Sequence, residues 1–275
     1  MGVTVIRPAA SAWLRIGDHL AQLREYRDLL YTLSLHRISV RYKQTTLGFA
    51  WALLQPVLMM LIFTAVFSVL AKMPSDGTPY ALFAFSALLP WTFFNTAVTS
   101  GTNSLVTHSQ LITKVYFPRE ILPLTYVIAA LFDFAIGFGV LLALMGWYHF
   151  PLTVHAWAIV PIVGILCAWT LAVSLFLAAV QVRIRDIGIA LPVLLQVLMF
   201  ASPIIYPLTV VPAAWREWYL LNPMAGIVSA FRDVLLHQRI ADPHPLTVAC
   251  AVTVVVLPAM FLFFKRAEAT MADLI

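Results

Sequence analysis

Six long apolar stretches alternate with short charged segments along the chain, at residues 47–70, 80–105, 121–147, 156–182, 187–206 and 246–264. Each approaches or exceeds the ~20 apolar residues that a helix needs to cross the hydrocarbon core of a bilayer. A β-barrel would instead show many short segments alternating apolar and polar residues, and runs such as 124–144 do not alternate. The pattern predicts an all-α integral membrane protein with six transmembrane helices. It divides the chain into an N-terminal segment (1–46), a six-helix membrane domain (47–264) and a short C-terminal tail (265–275).

Composition narrows this further. Of 275 residues, 62% are hydrophobic and only 11% charged, against roughly 25% charged in an average soluble domain. The formal charge of +5 does not point to nucleic acid, because the basic residues sit singly at the ends of apolar runs. They act as topology signals. Thirteen of the 17 Lys and Arg fall on one side and four on the other if both termini are cytoplasmic, the orientation that the positive-inside rule favours. The first 46 residues are charged throughout and lack the short apolar core of a cleavable signal peptide, so the first span is expected to serve as an uncleaved insertion signal. Cys167 and Cys250 lie within apolar runs and form neither a metal nor a redox spacing. The two halves show no similarity of the kind that marks inverted-repeat carriers.

Three segments do not fit the spanning pattern. Residues 24–43 read as an amphipathic helix, with Tyr31, Leu35, Ile38 and Tyr42 on one stripe and Arg37, Arg41 and Gln44 on another. Such a helix lies in the inner interface, either as a lipid anchor or as a docking surface for a cytoplasmic partner. Residues 107–123 carry Leu111, Ile112, Val115, Tyr116 and Phe117 among Lys114, Arg119 and Glu120. Apolar groups on a short loop mark a partner contact, unless the loop folds back on its own bundle. Between Ser202 and Pro245, Pro203, Pro207, Pro212, Asn222, Pro223, Asp242 and Pro243 break the chain into two short helices at 213–221 and 225–238. Trp215, Trp218 and Tyr219 suit the headgroup level, so these helices are expected to re-enter or cap the outer leaflet and form an exit gate with Asn222 and Pro223.

Chemistry-bearing residues are few. No GxxxxGK[ST] sequence occurs, so any energy from ATP must come from another subunit, and no cofactor or metal site is expected in this chain. Asp133, in the middle of the third span, is a functional candidate or a hydrogen-bonded packing residue, and no span offers it a basic partner. The second span turns polar halfway. Asn95, Thr99 and Thr102 share a face that could bond sugar hydroxyls or phosphate, or simply neighbouring helices. Trp91 and Phe94 before it could stack on sugar rings or belong to an aromatic belt. His237 and Asp242 match an HxxxxD acyltransferase spacing, but on the outer side, away from cytosolic acyl donors. An enzymatic role is not expected.

Several motifs carry a resemblance. RYKQTTLGFAWALLQP (41–56), FPRE (117–120), RIRDIG (183–188), SPIIYP (202–207) and LNPM (221–224) occur in an order and spacing similar to the permease subunit of type-2 ABC exporters of lipid-linked polysaccharides: O antigens, capsules and teichoic acids. The likeness covers nearly the whole chain and is greatest to the O-antigen branch. It implies a homodimer in the bacterial inner membrane, paired with two copies of a cytoplasmic ATPase, that exports undecaprenyl-linked polysaccharide. A permease for capsule, teichoic acid, drugs or simple lipids is the alternative. It further implies an ATPase-coupling region at Arg37, Arg41, Tyr116, Phe117, Pro118, Arg119 and Glu120, with a second contact at Arg183, Arg185 and Asp186. Arg37, Arg41 and Lys43 would meet the lipid-diphosphate end at the entrance, Trp91, Phe94, Asn95, Thr99 and Thr102 would line the conduit, and Trp215, Trp218, Tyr219, Asn222 and Pro223 would gate the exit.

Overall fold

A computed structural model describes residues 24–43, 50–237 and 242–274, and these are helical with no strand among them. In chain order the helices are α1 (Arg27–Lys43), α2 (Ala50–Phe63), α3 (Tyr80–Thr107), α4 (Ser109–Lys114), α5 (Ile121–Trp147), α6 (Ile159–Arg183), α7 (Ile187–Phe200), α8 (Ala213–Leu220), α9 (Pro223–Leu235) and α10 (His244–Leu274). α2 runs on into a wider π-helical segment, Thr64–Leu70. Among the described residues, five helices are long and apolar enough to cross a membrane: Leu53–Leu70, Tyr80–Thr107, Ile121–Trp147, Val154–Arg183 and His244–Ala269.

The fifth predicted span, 187–206, is shorter than expected. α7 stops at Phe200 after 14 residues, about 21 Å at 1.5 Å per residue. Pro203 supplies the reason: its ring disfavours helical geometry at Ser202, and it has no N–H to extend the ladder. The chain then turns through Ser202–Pro207 into α8 and α9. At the C-terminal end, α10 continues as one helix through Leu274.

α3 is the hub, packed against α5, α6, α9 and α2. Close approach is made possible by small residues. A Cβ at Gly101 would stand 3.0 Å from Ser174 Cβ, and one at Gly137 2.6 Å from Leu89 Cδ1. Tight packing of this kind substitutes for the hydrophobic drive that lipid removes. A second, smaller cluster joins Leu105, Ile112, Phe117, Ile121 and Leu122 to Phe264 and Met271 of α10, with Leu29 and Leu33 of α1 against it. It marks the end of the molecule where α3 finishes and α5 begins, hereafter the basic end.

α1 does not stand apart from the bundle. Leu29 and Leu33 pack at the foot of α5, Arg37 lies over Tyr126 and Arg41 reaches Asp133. α1 therefore advances alongside the first half of α5 in the same direction.

Candidate functional site

At the basic end, the loop 107–120 has an inner and an outer face. Phe117 (3% exposed) and Pro118 are buried, so the apolar anchor holds the loop to its own bundle. Tyr116, 90% exposed, projects outward beside exposed Lys114 and Val115. The charges of FPRE face inward as well. Lys265 Nζ bonds Glu120 at 2.7 Å and Glu268 at 2.9 Å. Arg119 donates its backbone N–H to Glu268 Oε1 at 3.2 Å and a guanidinium N–H to the Glu268 carbonyl at 2.7 Å. A largely buried ion-pair knot thus ties the loop to α10. Arg183, Arg185 and Asp186 are exposed on the turn between α6 and α7 at the same end.

Arg37 and Arg41 occupy different environments. The Arg37 guanidinium lies 3.9 Å from the centroid of the Tyr126 ring, and His108 stacks on the same ring at 6.4 Å. Burial lowers the Arg37 pKa; burial, then the Arg37 charge, holds the His108 imidazole below its ordinary range. Arg41 donates to the Asp133 carboxylate. The basic partner that no span could offer Asp133 comes from the N-terminal helix. Lys43 ends α1, and its side chain lies outside the described residues, as do 44–49 of the RYKQTTLGFAWALLQP motif.

The conduit residues divide. Trp91 (4% exposed), Phe94 and Thr102 are packed inside the protomer, so these three contribute to its core and line no open surface of the single chain. Asn95 and Thr99 are half-buried. The Thr99 carbonyl accepts from Asn103, whose own carbonyl oxygen accepts from Gln181 at 2.7 Å, so part of this polar face binds helix to helix.

At the opposite end, SPIIYP and LNPM form one hydrogen-bonded unit. Asn222 caps α9, its Oδ1 accepting from Met224 N–H at 3.1 Å, with Pro223 in the first turn where its missing N–H costs nothing. Its Nδ2 donates to Ser202 Oγ at 2.8 Å, which donates on to the Leu198 carbonyl. Tyr80 donates to the Ile205 carbonyl at 3.0 Å. At the centre lies Arg232, 4% exposed. It donates to the carbonyls of Pro203 and Ile204, each at 2.6 Å, and of Phe83 at 3.2 Å, with its guanidinium 3.5 Å from the Phe83 ring centroid. Two carbonyls of the non-helical backbone between α7 and α8 are thereby satisfied by one cation. Tyr206 and Tyr219 share a hydroxyl bond of 3.0 Å; burial foremost, with that bond, raises the Tyr219 pKa well above its ordinary range, so its hydroxyl stays protonated. Trp215 and Trp218 are exposed on α8.

Sequence reasoning missed Arg232, counting it as an outer-loop charge. The signal was present: it is the one cation in the otherwise apolar run 223–232, and an ionisable group in such a run is a site by default. It also missed Lys265 and Glu268. His237 and Asp242 are not brought together: His237 Nδ1 pairs with Asp233 at 2.8 Å, and Asp242 accepts from His244 N–H.

Comparison with known proteins agrees with this architecture. Residues 29–236 match the ABC-2 type transporter family. The O-antigen export system permease protein RfbA of Myxococcus xanthus is 33% identical, over 92% of this chain and 97% of the relative. RfbA of Klebsiella pneumoniae is 25% identical over 76% of this chain and 81% of its own. The polysialic acid transport protein KpsM of Escherichia coli is 24% identical over 87% and 93%. With one family spanning most of the helical bundle and a relative matched nearly end to end, the chain belongs to the ABC-2 type transporter family as a multi-pass membrane component.

Proposed function

We propose that this chain is the permease half of an ATP-driven exporter that moves undecaprenyl-linked polysaccharide, most specifically O antigen, across the bacterial inner membrane. The observation that carries the reading is the 33% identity to an O-antigen export permease over 92% of the chain. Two copies of the chain form the path, and two copies of a separate ATPase, binding ATP and magnesium, drive it. The relationship to polysialic acid transport proteins supports capsule polysaccharide as the second reading.

Geometry supports a division of labour. Both termini and the basic end face the cytoplasm, where Tyr116 offers an aromatic knob to a groove on the ATPase. Its movement passes through the Glu120–Lys265–Glu268 knot into α10, because a buried ion pair resists being pulled apart. Within α10, Ala249 and the Pro245 carbonyl abut Gly226 of α9, so a shift of α10 reaches the helices that close the exit. α8 then rests in the outer interface on Trp215 and Trp218.

The test is ATP hydrolysis by the complex reconstituted in nanodiscs. The permease alone hydrolyses no ATP. The assembled complex is stimulated by lipid-linked O polysaccharide, and not by polymer released from its lipid or by hydrophobic drugs. Equal stimulation by drugs would overturn the polysaccharide assignment.

A further inference from the structure

Among the described residues, the lysines and arginines that are buried or half-buried are Arg37, Arg119, Arg216, Arg232 and Lys265. All but the first donate to an oxygen of the bundle: Arg119 to the Glu268 carbonyl, Arg216 to that of Val211, Arg232 to those of Pro203 and Ile204, and Lys265 to Glu120 and Glu268. Arg37 is the exception. Among the described residues it forms no hydrogen bond or ion pair, and its guanidinium faces the Tyr126 ring at 3.9 Å from the centroid. The ring attracts the charge but offers no lone pair to the five N–H donors, and donors left unmet at a half-buried site are costly.

The surroundings are basic and amphipathic. His108 stacks on the same Tyr126 ring and, with Thr107, Gln110, Leu111, Lys114 and Val115, lines an open depression of about 420 Å³. No carboxylate is among these residues. The depth is that of lipid headgroups. α5 has 27 residues, about 40 Å at 1.5 Å per residue, against a hydrocarbon core of about 30 Å. About 5 Å at each end therefore stands among headgroups, and Tyr126, about 7.5 Å along from Ile121, sits at the boundary. Tyr31, Leu35 and Val40 of α1 are exposed, an apolar flank suited to acyl chains. We infer that Arg37, flanked by His108 and Lys114, is the phosphate ligand of a site for an anionic phospholipid of the inner leaflet.

The chemistry selects the headgroup. A guanidinium can meet two oxygens of one phosphodiester side by side. A zwitterionic headgroup also brings an ammonium, which finds no carboxylate in this lining and is repelled by Lys114. One guanidinium, one exposed lysine and an imidazole whose pKa lies below 6.5, through burial and then the Arg37 charge, match the single charge of a phosphodiester better than the several charges of a diphosphate. Bound there, the lipid ties α1 to the end of α3. The inference stands on the membrane location alone and is independent of which polymer is exported.

The experiment uses the full chain, purified in a neutral detergent and stripped of lipid, with binding read by native mass spectrometry. Phosphatidylglycerol is expected to bind about tenfold more tightly than phosphatidylethanolamine of the same acyl chains, the order that one or two basic groups give beside an anionic headgroup. Arg37→Gln is expected to bring the two lipids within about twofold, and Arg37→Lys to retain part of the preference. Lys114→Gln, on an exposed side chain whose loss leaves the fold intact, is expected to reduce the preference about threefold. Arg185→Gln removes a charge from an exposed turn at the same end and is expected to leave it unchanged. No preference in the wild type, an equal loss in Arg185→Gln, or a preference that survives both Arg37→Gln and Lys114→Gln overturns the site. Displacement of phosphatidylglycerol by equimolar undecaprenyl diphosphate overturns the phospholipid and gives Arg37 to the transported lipid. Displacement by inorganic phosphate overturns it in favour of a soluble anion.

Discussion

Replacing Arg232 by methionine removes two charge-assisted hydrogen bonds from the broken segment between α7 and α8 and a third from the Phe83 carbonyl of α3, at nearly constant volume. The carbonyls of Pro203 and Ile204 are then left inside the bundle, each at a cost of about 1–3 kcal/mol, while the Phe83 carbonyl keeps the Ser86 hydroxyl as a donor. Some of that is offset, because a cation no longer has to be buried. The two orphaned carbonyls together cost about 2–6 kcal/mol before that offset, a large part of a total stability of about 5–15 kcal/mol. At roughly 2–4 °C per kcal/mol for chains of comparable size, the apparent unfolding midpoint should fall by on the order of 10 °C. The assay is fluorescence-detected size-exclusion chromatography of the detergent-solubilised protein after stepwise heating at a fixed rate, since membrane proteins of this kind unfold irreversibly. Arg232→Lys keeps the charge but cannot span three carbonyls, and should fall between. Arg185→Met, exposed on the turn between α6 and α7, is the control and should move the midpoint by less than about 2 °C, as surface changes do. An Arg232→Met midpoint within that same margin of wild type would refute the idea that this cation organises the outer-end knot.

Gly226→Ala should sharply reduce the folded yield, because the added Cβ would sit 2.1 Å from the Pro245 carbonyl oxygen and force α9 off α10; monodispersity in detergent reads the effect. His108 is held below its ordinary pKa of 6.5 by burial and then by Arg37, so an undocked state takes up the proton first as pH falls. The contribution of the Arg37–Tyr126–His108 stack is therefore full above about pH 6.5 and lost below it. Hydrogen exchange of α1, corrected for the intrinsic rate, should speed up between pH 7.5 and 5.5 in the wild type and lose that dependence in His108→Gln. Tyr116→Ala should leave the unfolding midpoint unchanged, as the side chain is 90% exposed, yet reduce copurification of the ATPase at least tenfold, the usual result of removing an aromatic anchor; equal copurification would relocate the coupling contact.

How much of this was legible in the sequence depends on the range of the interaction. Helices set by continuous apolar runs were readable: α5 begins and ends at Ile121 and Trp147, the predicted bounds. The fifth span was overextended because a hydropathy pattern counts Ile204, Ile205 and Tyr206 as apolar, whereas Pro203 has already ended the helix. The two short helices were foreseen from their prolines and from Asn222, whose capping role is local. What a linear pattern could not supply were partners distant in sequence. Asp133 had no partner in sight because Arg41 lies 92 residues away. Glu120 and Arg119 were read as facing a partner protein because Lys265 and Glu268 lie about 145 residues downstream. Phe117 was read as a surface anchor, and its burial follows from the packing of α10 and α1 around it. Trp91, Phe94 and Thr102 were placed on a conduit by residue type, but α3 is wrapped on most sides, so residue type alone did not say which way they turn.

Vectorial transport gives the most direct test of the central claim. Proteoliposomes holding the permease and its ATPase, with lipid-linked O polysaccharide in the outer leaflet alongside the nucleotide-binding face, are supplied with ATP and magnesium. Polymer that has moved to the lumen is then scored by its protection from an added glycosidase. Protected polymer is expected to accumulate with ATP and to be absent with a hydrolysis-deficient ATPase. Protection that is equal with and without hydrolysis, or absent for the polysaccharide while a simple lipid is moved, would contradict the account.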